Sequence, residues 1–570
     1  SADQEVPAAG PYRQARHRQR QPAAAFATPD AHRRALHQSD SAAEPLAVAE
    51  PHQEALPDLA RLPATAGPYR VGRDLRSALS EIGPSEIPPS ETVRATADDP
   101  VVLGLSEAIG GPPGRHASIA GHPFWTPVRV VLAMALVVLA AAWVQKAPCR
   151  TAGWAHEYQY THTCYTDVFA LYFAEGLDKG EVPYLDHEVE YPVLTGGLMY
   201  AVAVVTRAID QVHPARTFFD LTALLLAASA LVSVWALARL HRRRPWDAAM
   251  MALAPAMVVT AYVNWDLFAV ALATTALLAW ARKRLVLAGF LLGLAIAAKF
   301  YPLLFLGPMF LLCFRAGRLR AFATTAVVAG LTWWAVNEPI RLAAPRAWGR
   351  FFELSKTRGV DWGTFWYGLR HMMGGRSLDA NVPPGGSPVL LNIAVALSLI
   401  IGCLGIAVLA LTAPRRPRLG QLLFLVVAVF LLTGKVWSQQ YVLWLIPLAV
   451  LARPRWGAFL AWQVCELAYF LAFYYELVGA ARAAPVIPEW LFVLVAAGRA
   501  AGLLVLCGFV VIDVLRPERD PIRAGGLEDD PIGGVLDGAP DVFTPADGAK
   551  DSGRRPVPAS GWPEPGAPAG

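Results

Sequence analysis

Between two polar ends, the chain alternates long apolar runs with short polar turns. The runs fall at about 128–145, 191–208, 217–240, 246–263, 266–281, 285–298, 301–314, 320–336, 388–412, 419–434, 441–452, 457–477 and 490–514. Segments such as VVLAMALVVLAAAW and LLGLAIAA carry no charge. They also lack the polar face that a soluble core helix repeats every ~3.6 residues. About twenty apolar residues cross the hydrocarbon core of a bilayer. The pattern predicts an all-α, polytopic bundle of transmembrane helices with about 12–13 spans.

The ends read differently. Residues 1–125 and 517–570 are rich in Pro, Ala, Gly and charged residues and have no sustained periodicity. Such segments bury too little apolar surface to offset the entropy of ordering. Both are expected to be disordered cytoplasmic tails around a membrane domain at 126–516. Two polar gaps inside it, 146–190 and 337–387, are long, and long loops between spans are usually functional.

Charge sets an orientation. HRRR (241–244), ARKR (281–284), RAGRLR (315–320), RRPR (415–418) and RPR (453–455) separate apolar runs. Short Lys/Arg-rich loops favour the cytoplasmic side. From ARKR onward these clusters occupy every second loop. That puts 337–387, KVWSQQ (435–440) and 478–489 outside and the C-terminal tail inside. A cytoplasmic N-terminal tail puts 146–190 outside as well. Thirteen spans cannot leave both ends inside, so one run between 191 and 281 does not span independently. Pro255 and the polar NWD at 264–266 mark 246–281 as one kinked span or a re-entrant pair. Merging those two runs, however, places HRRR outside, against the charge rule.

Composition adds bounds. Of 570 residues 55% are hydrophobic and 17% charged, and the mean hydropathy of +0.37 includes the polar ends, so the middle is very apolar. The basic clusters are separate inter-helix loops rather than one face, which argues against a nucleic-acid partner. Cys313, Cys403, Cys465 and Cys507 lie in apolar runs, where cysteine packs as a small hydrophobe. Cys149 and Cys164 share the first outer loop, where the compartment permits a disulfide between them. No CxxC or Cys/His zinc spacing is present.

Ionisable groups at membrane depth are costly and mark candidate chemistry. In YTDVFALYF, Val168, Leu171, Tyr172 and Glu175 repeat at helical spacing, predicting an interfacial helix over 166–177. Asp167 begins it, either as an N-cap or as a working carboxylate. Glu188, Glu190 and Tyr191 close the same loop. Lys299, between two apolar runs in AAKFYPLLFLGP, either snorkels or offers a point charge to a phosphate. Asn264 and Asp266 interrupt an apolar run, as helix–helix hydrogen bonds or as site residues. GKVWSQQYVLWLIP brings Lys435, Gln440 and Tyr441 to the outer end of a span, more than an aromatic belt requires. In the second long gap, SKTRGVDWGTFWYGLRHM sets Lys356, Arg358, Asp361, Arg370 and His371 among Trp362, Phe365, Trp366 and Tyr367. That mixture suits a sugar ring, or else an interfacial helix.

The motifs YTDVFALYFAEGLDKGEVPYLDHEVEYPVL, VNWDLFAVALA, GFLLGLAIAAKFYPLLFLGP and KVWSQQYVLWLIP span roughly 165–450. In that order the chain resembles the actinobacterial membrane glycosyltransferases of family 87, the polyprenol-phosphate-mannose-dependent mannosyltransferases of the GT-C superfamily. The resemblance implies a GT-C helical bundle of around a dozen spans in the cell membrane, with an active site facing the extracytoplasmic side. It implies a catalytic Asp in the first outer loop, a position that Asp167 matches. It also implies a sugar donor carried on a lipid phosphate, so no nucleotide-binding domain is needed. No Rossmann or P-loop glycine motif occurs. The chain departs from its relatives at YPV (191–193), where two prolines are common, and around Asp361 and Trp362, which do not align with a catalytic His.

The expected activity is transfer of a hexose, mannose by resemblance, from a polyprenyl-phosphate donor to a glycolipid or cell-envelope glycan. Asp167 serves as base, and Lys299 and Lys435 hold the leaving phosphate. Glu188, Glu190, Tyr191, Asp266, Asp361, Trp362, His371, Gln440 and Tyr441 are candidate substrate contacts. Inversion needs one base and no covalent intermediate. No cofactor is required; a divalent metal held by His156, His162, His187 and loop carboxylates is the less favoured option. The rival class is a transporter or lipid flippase, which fits less well with two long polar loops and no internal repeat.

Overall fold

The computed structural model describes residues 99–111 and 123–542, apart from 156, 242, 381, 384, 385 and 524–527. His156 and the outer parts of both expected tails lie outside the described residues. Helix α1 (Pro100–Ile109) falls inside the stretch expected to be disordered. Asp99 caps it through the Val101 amide and also accepts from the Trp456 amide at 3.0 Å. Helix α2 (Pro127–Ala152) is capped by Thr126, has Pro at its first turn and stops at the left-handed Gly153.

The first long loop contains α3 (Tyr158–Thr161) and α4 (Asp167–Ala174), followed by α5 (Val193–Ile209) and α6 (Pro214–Leu240). Residues 245–263 are broken into a 3-10 turn and two short helices, α7 (Ala249–Ala252) and α8 (Pro255–Thr260). Then come α9 (Asp266–Ala281), α10 (Leu285–Ala298), a 3-10 turn over Tyr301–Phe305, α11 (Leu306–Arg315) and α12 (Leu319–Ala343). The second long loop holds α13 (Pro345–Thr357) and α14 (Phe365–Met372). Helices α15 (Val389–Thr412), α16 (Leu419–Thr433), α17 (Val442–Ala452), α18 (Trp456–Arg482) and α19 (Glu489–Leu515) complete the bundle. No strand occurs among the described residues. Helices α2, α6, α12, α15, α18 and α19 are long and apolar enough to cross a membrane, which marks a multi-pass membrane protein.

Contacts at helix ends define two faces, one bearing the long loops and one bearing the basic clusters. Asp220, near the start of α6, bonds Arg150 beside the first loop, whereas His241 and Arg244 at its other end bond Asp247. The broken segment then returns, because the Val263 carbonyl accepts from the Asp167 amide. Continuing in this way, the chain runs between the two faces twelve times, through α2, α6, 245–263, α9, α10, 301–315, α12, α15, α16, 439–452, α18 and α19.

Helix α5 does not cross. At its start Thr195 donates to the Ala298 carbonyl and Tyr184 donates to the Pro192 carbonyl. Near its end Arg207 donates to the Leu177 carbonyl of the first loop. Both ends therefore lie on the loop face. The expectation that 246–281 holds the non-spanning run is corrected: the odd segment is 191–208. Thr195, Gly196, Met199, Val202, Ala203 and Thr206 make one buried stripe, while Val204, Val205 and Ile209 stay exposed. A one-sided helix of this kind lies along a surface. A Cβ at Gly196 would sit 2.2 Å from the Tyr184 hydroxyl, so the loop crosses α5 only over glycine. With α5 uncounted, all five basic clusters fall on one face and the parity conflict disappears.

The C-terminal boundary also moves. Residues 517–523 and 528–542, expected as disordered tail, pack across the basic face. Arg418, 0% exposed, is gripped by Asp520 at 2.6 and 2.9 Å. Asp530 accepts from the Leu419 amide, Trp280 donates to the Gly533 carbonyl, and Asp541 pairs with Arg315 and Arg416. Ile532 and Leu536 are fully buried. Charge pairing with helix-end arginines orders this strap, a contribution that its apolar content does not reveal.

Candidate functional site

The segment leading to Asp167 is fastened residue by residue. Gln145 of α2 donates to the Thr163 carbonyl, Cys149 and Cys164 form a disulfide, and Lys146 donates to the Tyr165 carbonyl. From the opposite side, Thr166 donates to the Tyr262 carbonyl and the Asp167 amide to that of Val263. Helix α4 then begins. Its N-cap is Thr166, whose hydroxyl accepts from the Val168 amide. Capping is thus supplied one residue earlier than expected, and the Asp167 carboxylate is left for other partners. The apolar spacing read from sequence is a buried stripe: Val168, Leu171, Tyr172 and Glu175 are all enclosed.

Asp167 Oδ2 accepts from Asn264 Nδ2 at 2.6 Å, and the same amide nitrogen donates to the Tyr191 hydroxyl at 2.5 Å. Asn264 Oδ1 accepts from the Trp265 amide at 2.7 Å and from Lys299 Nζ at 3.4 Å. Because the oxygen is held by two donors, the amide nitrogen must point at Asp167. Lys299 lies 3.2 Å from Asp266 Oδ1, which also accepts from Trp444 Nε1 at 2.6 Å. The other oxygen of Asp266 is buried without a hydrogen-bond partner. Three rings surround the ammonium, with centroids at 5.3 Å (Tyr191), 5.9 Å (Tyr441) and 6.0 Å (Trp444). Trp444 is clamped between Tyr441 and Tyr301 in a stack.

Electrostatics follow from this geometry. Burial raises the Asp167 carboxyl above its usual range, opposed by hydrogen bonds from Asn264 and Tyr165 and by the charge of Lys299. Burial also lifts Glu190 to about 7, partly offset by Arg358, whose guanidinium is 4.0 Å away. Asp361 is raised to about 6 by burial, again with Arg358 opposing. A role for Asp167 as general base would need the ionised form, so activity would fall as pH drops through its raised value. Asn264→Ala removes a hydrogen bond to the charged form. The acid limb of the pH–rate profile should therefore move to higher pH, by about one unit. Rates measured between pH 5 and 9 check this, and an unmoved limb would exclude Asn264 from the role.

Other candidates are placed elsewhere. Lys435 donates to the Arg358 carbonyl at 2.6 Å, the Lys356 carbonyl at 3.4 Å and Asn392 Oδ1 at 2.5 Å. Burial and the neighbouring Arg358 lower it to about 8. It ties the second loop to α15 rather than joining the Asp167 cluster directly. Asp361 takes the Lys435 carbonyl with its amide, and Trp362 packs near Tyr165 and against Phe473 and Phe492. Glu188 faces Arg350 at 3.9 Å. Gln440 is buried in the 3-10 turn beside Tyr441. His371 lies 3.6 Å from Glu489, in a separate cluster between α14 and α19. Among the described residues no three metal-ligating side chains converge. His162 stacks on Tyr158, and His187 sits between Glu175 and Glu181.

Sequence reasoning named Arg358 without choosing it and did not name Lys146. The first was one charge among many in a long loop. The second sits near the end of a span, where a lysine reads as a flank.

The site face as a whole thus joins a buried carboxylate, an ammonium in an aromatic cage and an arginine–glutamate pair. Residues 191–434 match the family model of glycosyltransferase family 87, consistent with a GT-C superfamily membrane glycosyltransferase. The matched stretch contains Tyr191, Asn264, Asp266, Lys299 and Arg358; Asp167 lies before it and joins through Asn264. A comparison with curated proteins finds no match.

Proposed function

We propose that this membrane glycosyltransferase moves a hexose, mannose by family resemblance, from a polyprenyl-phosphate carrier to a glycolipid or cell-envelope glycan. The observation that carries the proposal is the Asp167 carboxylate held by Asn264, with the Lys299 ammonium bonded to that same amide. Asp167 takes the acceptor's hydroxyl proton while the oxygen attacks the anomeric carbon. The bond from that carbon to the carrier phosphate breaks, and its electron pair stays on phosphate oxygen. Lys299 and Arg358 stabilise that charge, as preorganised cations do where charge develops. Lys435 acts at one remove, through the Arg358 carbonyl it holds. In this reading Glu190, Asp361 and Asp266 receive sugar hydroxyls; a buried oxygen of Glu190 and one of Asp266 have no hydrogen-bond partner, which supports it. A single base and no covalent intermediate imply inversion at the anomeric carbon.

The basic clusters share a face, so the charge rule makes that face cytoplasmic and the site extracytoplasmic. The plasma membrane is the compartment that fits a lipid-linked donor and an envelope acceptor. Incubating membranes that contain the chain with radiolabelled polyprenyl-phosphate mannose should produce a labelled glycolipid absent from control membranes. Uptake of label without a new product would instead identify a transporter.

A further inference from the structure

We propose that Arg499 is a positioning residue for the donor site, a buried guanidinium that holds the 434–441 turn in the shape that presents Lys435, Tyr441 and Trp444. The inference rests on the glycosyl-transfer reading above. Between the end of α16 and the 3-10 turn at Gln439–Tyr441, residues 434–438 form no helix. Irregular backbone at the edge of a membrane needs partners for its carbonyls from elsewhere in the protein. Arg499 of α19 supplies them. Its Nη1 donates to the Trp437 carbonyl at 2.9 Å and its Nη2 to the Ser438 carbonyl at 3.2 Å. The Ser438 carbonyl also accepts from the Tyr441 amide at 3.2 Å, so the same oxygen sets where the 3-10 turn begins.

The third nitrogen, Nε, donates to Glu466 of α18 at 2.8 Å, and Glu466 also accepts from Trp462 Nε1 at 3.1 Å. Both members of the pair are buried. The planar cation lies 4.1 Å from the Trp437 ring and 4.2 Å from the Tyr469 ring. Tyr469 carries the hold to the second long loop. Its hydroxyl donates to the Trp362 carbonyl at 3.3 Å, and a Cβ at Gly363 would sit 2.1 Å from that hydroxyl. The Asp361 amide in turn donates to the Lys435 carbonyl at 3.0 Å. One side chain thus fastens the turn that bears Lys435 and, through Tyr469, the loop that bears Asp361. Charge alone does not require this choice. A lysine would pair with Glu466, but its ammonium has no planar fork to span two carbonyls while lying against two rings. The effect of Arg499 on transfer passes through Tyr441 and Trp444, which cage Lys299, and through Lys435, which holds the Arg358 carbonyl.

The test uses the full-length chain in membranes, as wild type, Arg499→Lys and the paired Glu466→Gln/Arg499→Met. Arg499→Lys keeps a charge opposite Glu466. The paired change removes both charges, so neither variant leaves a buried carboxylate alone. Radiolabelled polyprenyl-phosphate mannose is titrated with the membranes' own acceptor, and amide hydrogen exchange is followed in the peptide covering 434–444. Both variants should raise the donor KM about tenfold, as a small misplacement of binding groups does. Both should speed exchange of that peptide and leave α2 and α6 unchanged. Arg499→Lys with wild-type KM and wild-type exchange overturns the proposal, since the charge would then be all that matters. So does a lower kcat at unchanged donor KM, the mark of fewer folded molecules. If wild type transfers no mannose yet exchange over 434–444 still rises in both variants, the functional reading fails and the hold on the turn stands.

Discussion

Asp167→Asn should lower sugar transfer by about three orders of magnitude, the middle of the range that a general base contributes. The change keeps the shape of the side chain, and its remaining oxygen still accepts from Asn264. Thr166 supplies the cap of α4, so the helix does not depend on the charge. Expression and thermal stability should therefore stay near wild type. Vesicles carrying the variant, supplied with labelled lipid-linked donor, make the comparison. Transfer within tenfold of wild type would remove Asp167 from the role of base.

The second large effect lies on the opposite face. A chain ending at 516 lacks Asp520, Asp530 and Asp541 and leaves Arg418, enclosed with Asp520 in the intact protein, without its carboxylate. Removing one partner of a buried pair costs about 3–5 kcal/mol. Arg315 and Arg416 lose their carboxylate as well. The truncated protein should fail to survive extraction into mild detergent as a single species. Asp520→Asn should reproduce part of the loss as a lowered Tm. Fluorescence-detected size exclusion and thermal unfolding measure both. Equal melting of the truncated and full chains would show that the strap contributes nothing to stability.

These two faces differ in how much the sequence reveals. Asp167, Asn264, Asp266 and Lys299 stand out because each interrupts or borders an apolar run, where a polar group has a high cost. Their convergence follows from where α9 begins and α10 ends, and the pattern locates both. Arg358 was hidden by its neighbours, since a loop with many charges gives no reason to choose one. Helix α5 was hidden by length, for a one-sided stripe within a mostly apolar run looks like a span. The strap was hidden by composition. Pro, Gly and Asp read as disorder until Asp520, Asp529 and Asp541 meet arginines from distant turns, a match that only three-dimensional placement exposes.

Helix α5 also bears on how the chain is made. It leaves the ribosome as 17 largely apolar residues lying between two segments that do cross. If it were integrated as a crossing segment, every later helix would enter upside down, and the basic loops would face the wrong compartment. Its hydrophobicity alone does not forbid this. What holds it flat is contact on both sides: with chain already delivered, through Tyr184 and the Leu177 carbonyl, and with chain still to come, through the Ala298 carbonyl that Thr195 reaches. Its place is therefore secured only when the first loop and the end of α10 have both reached the same face.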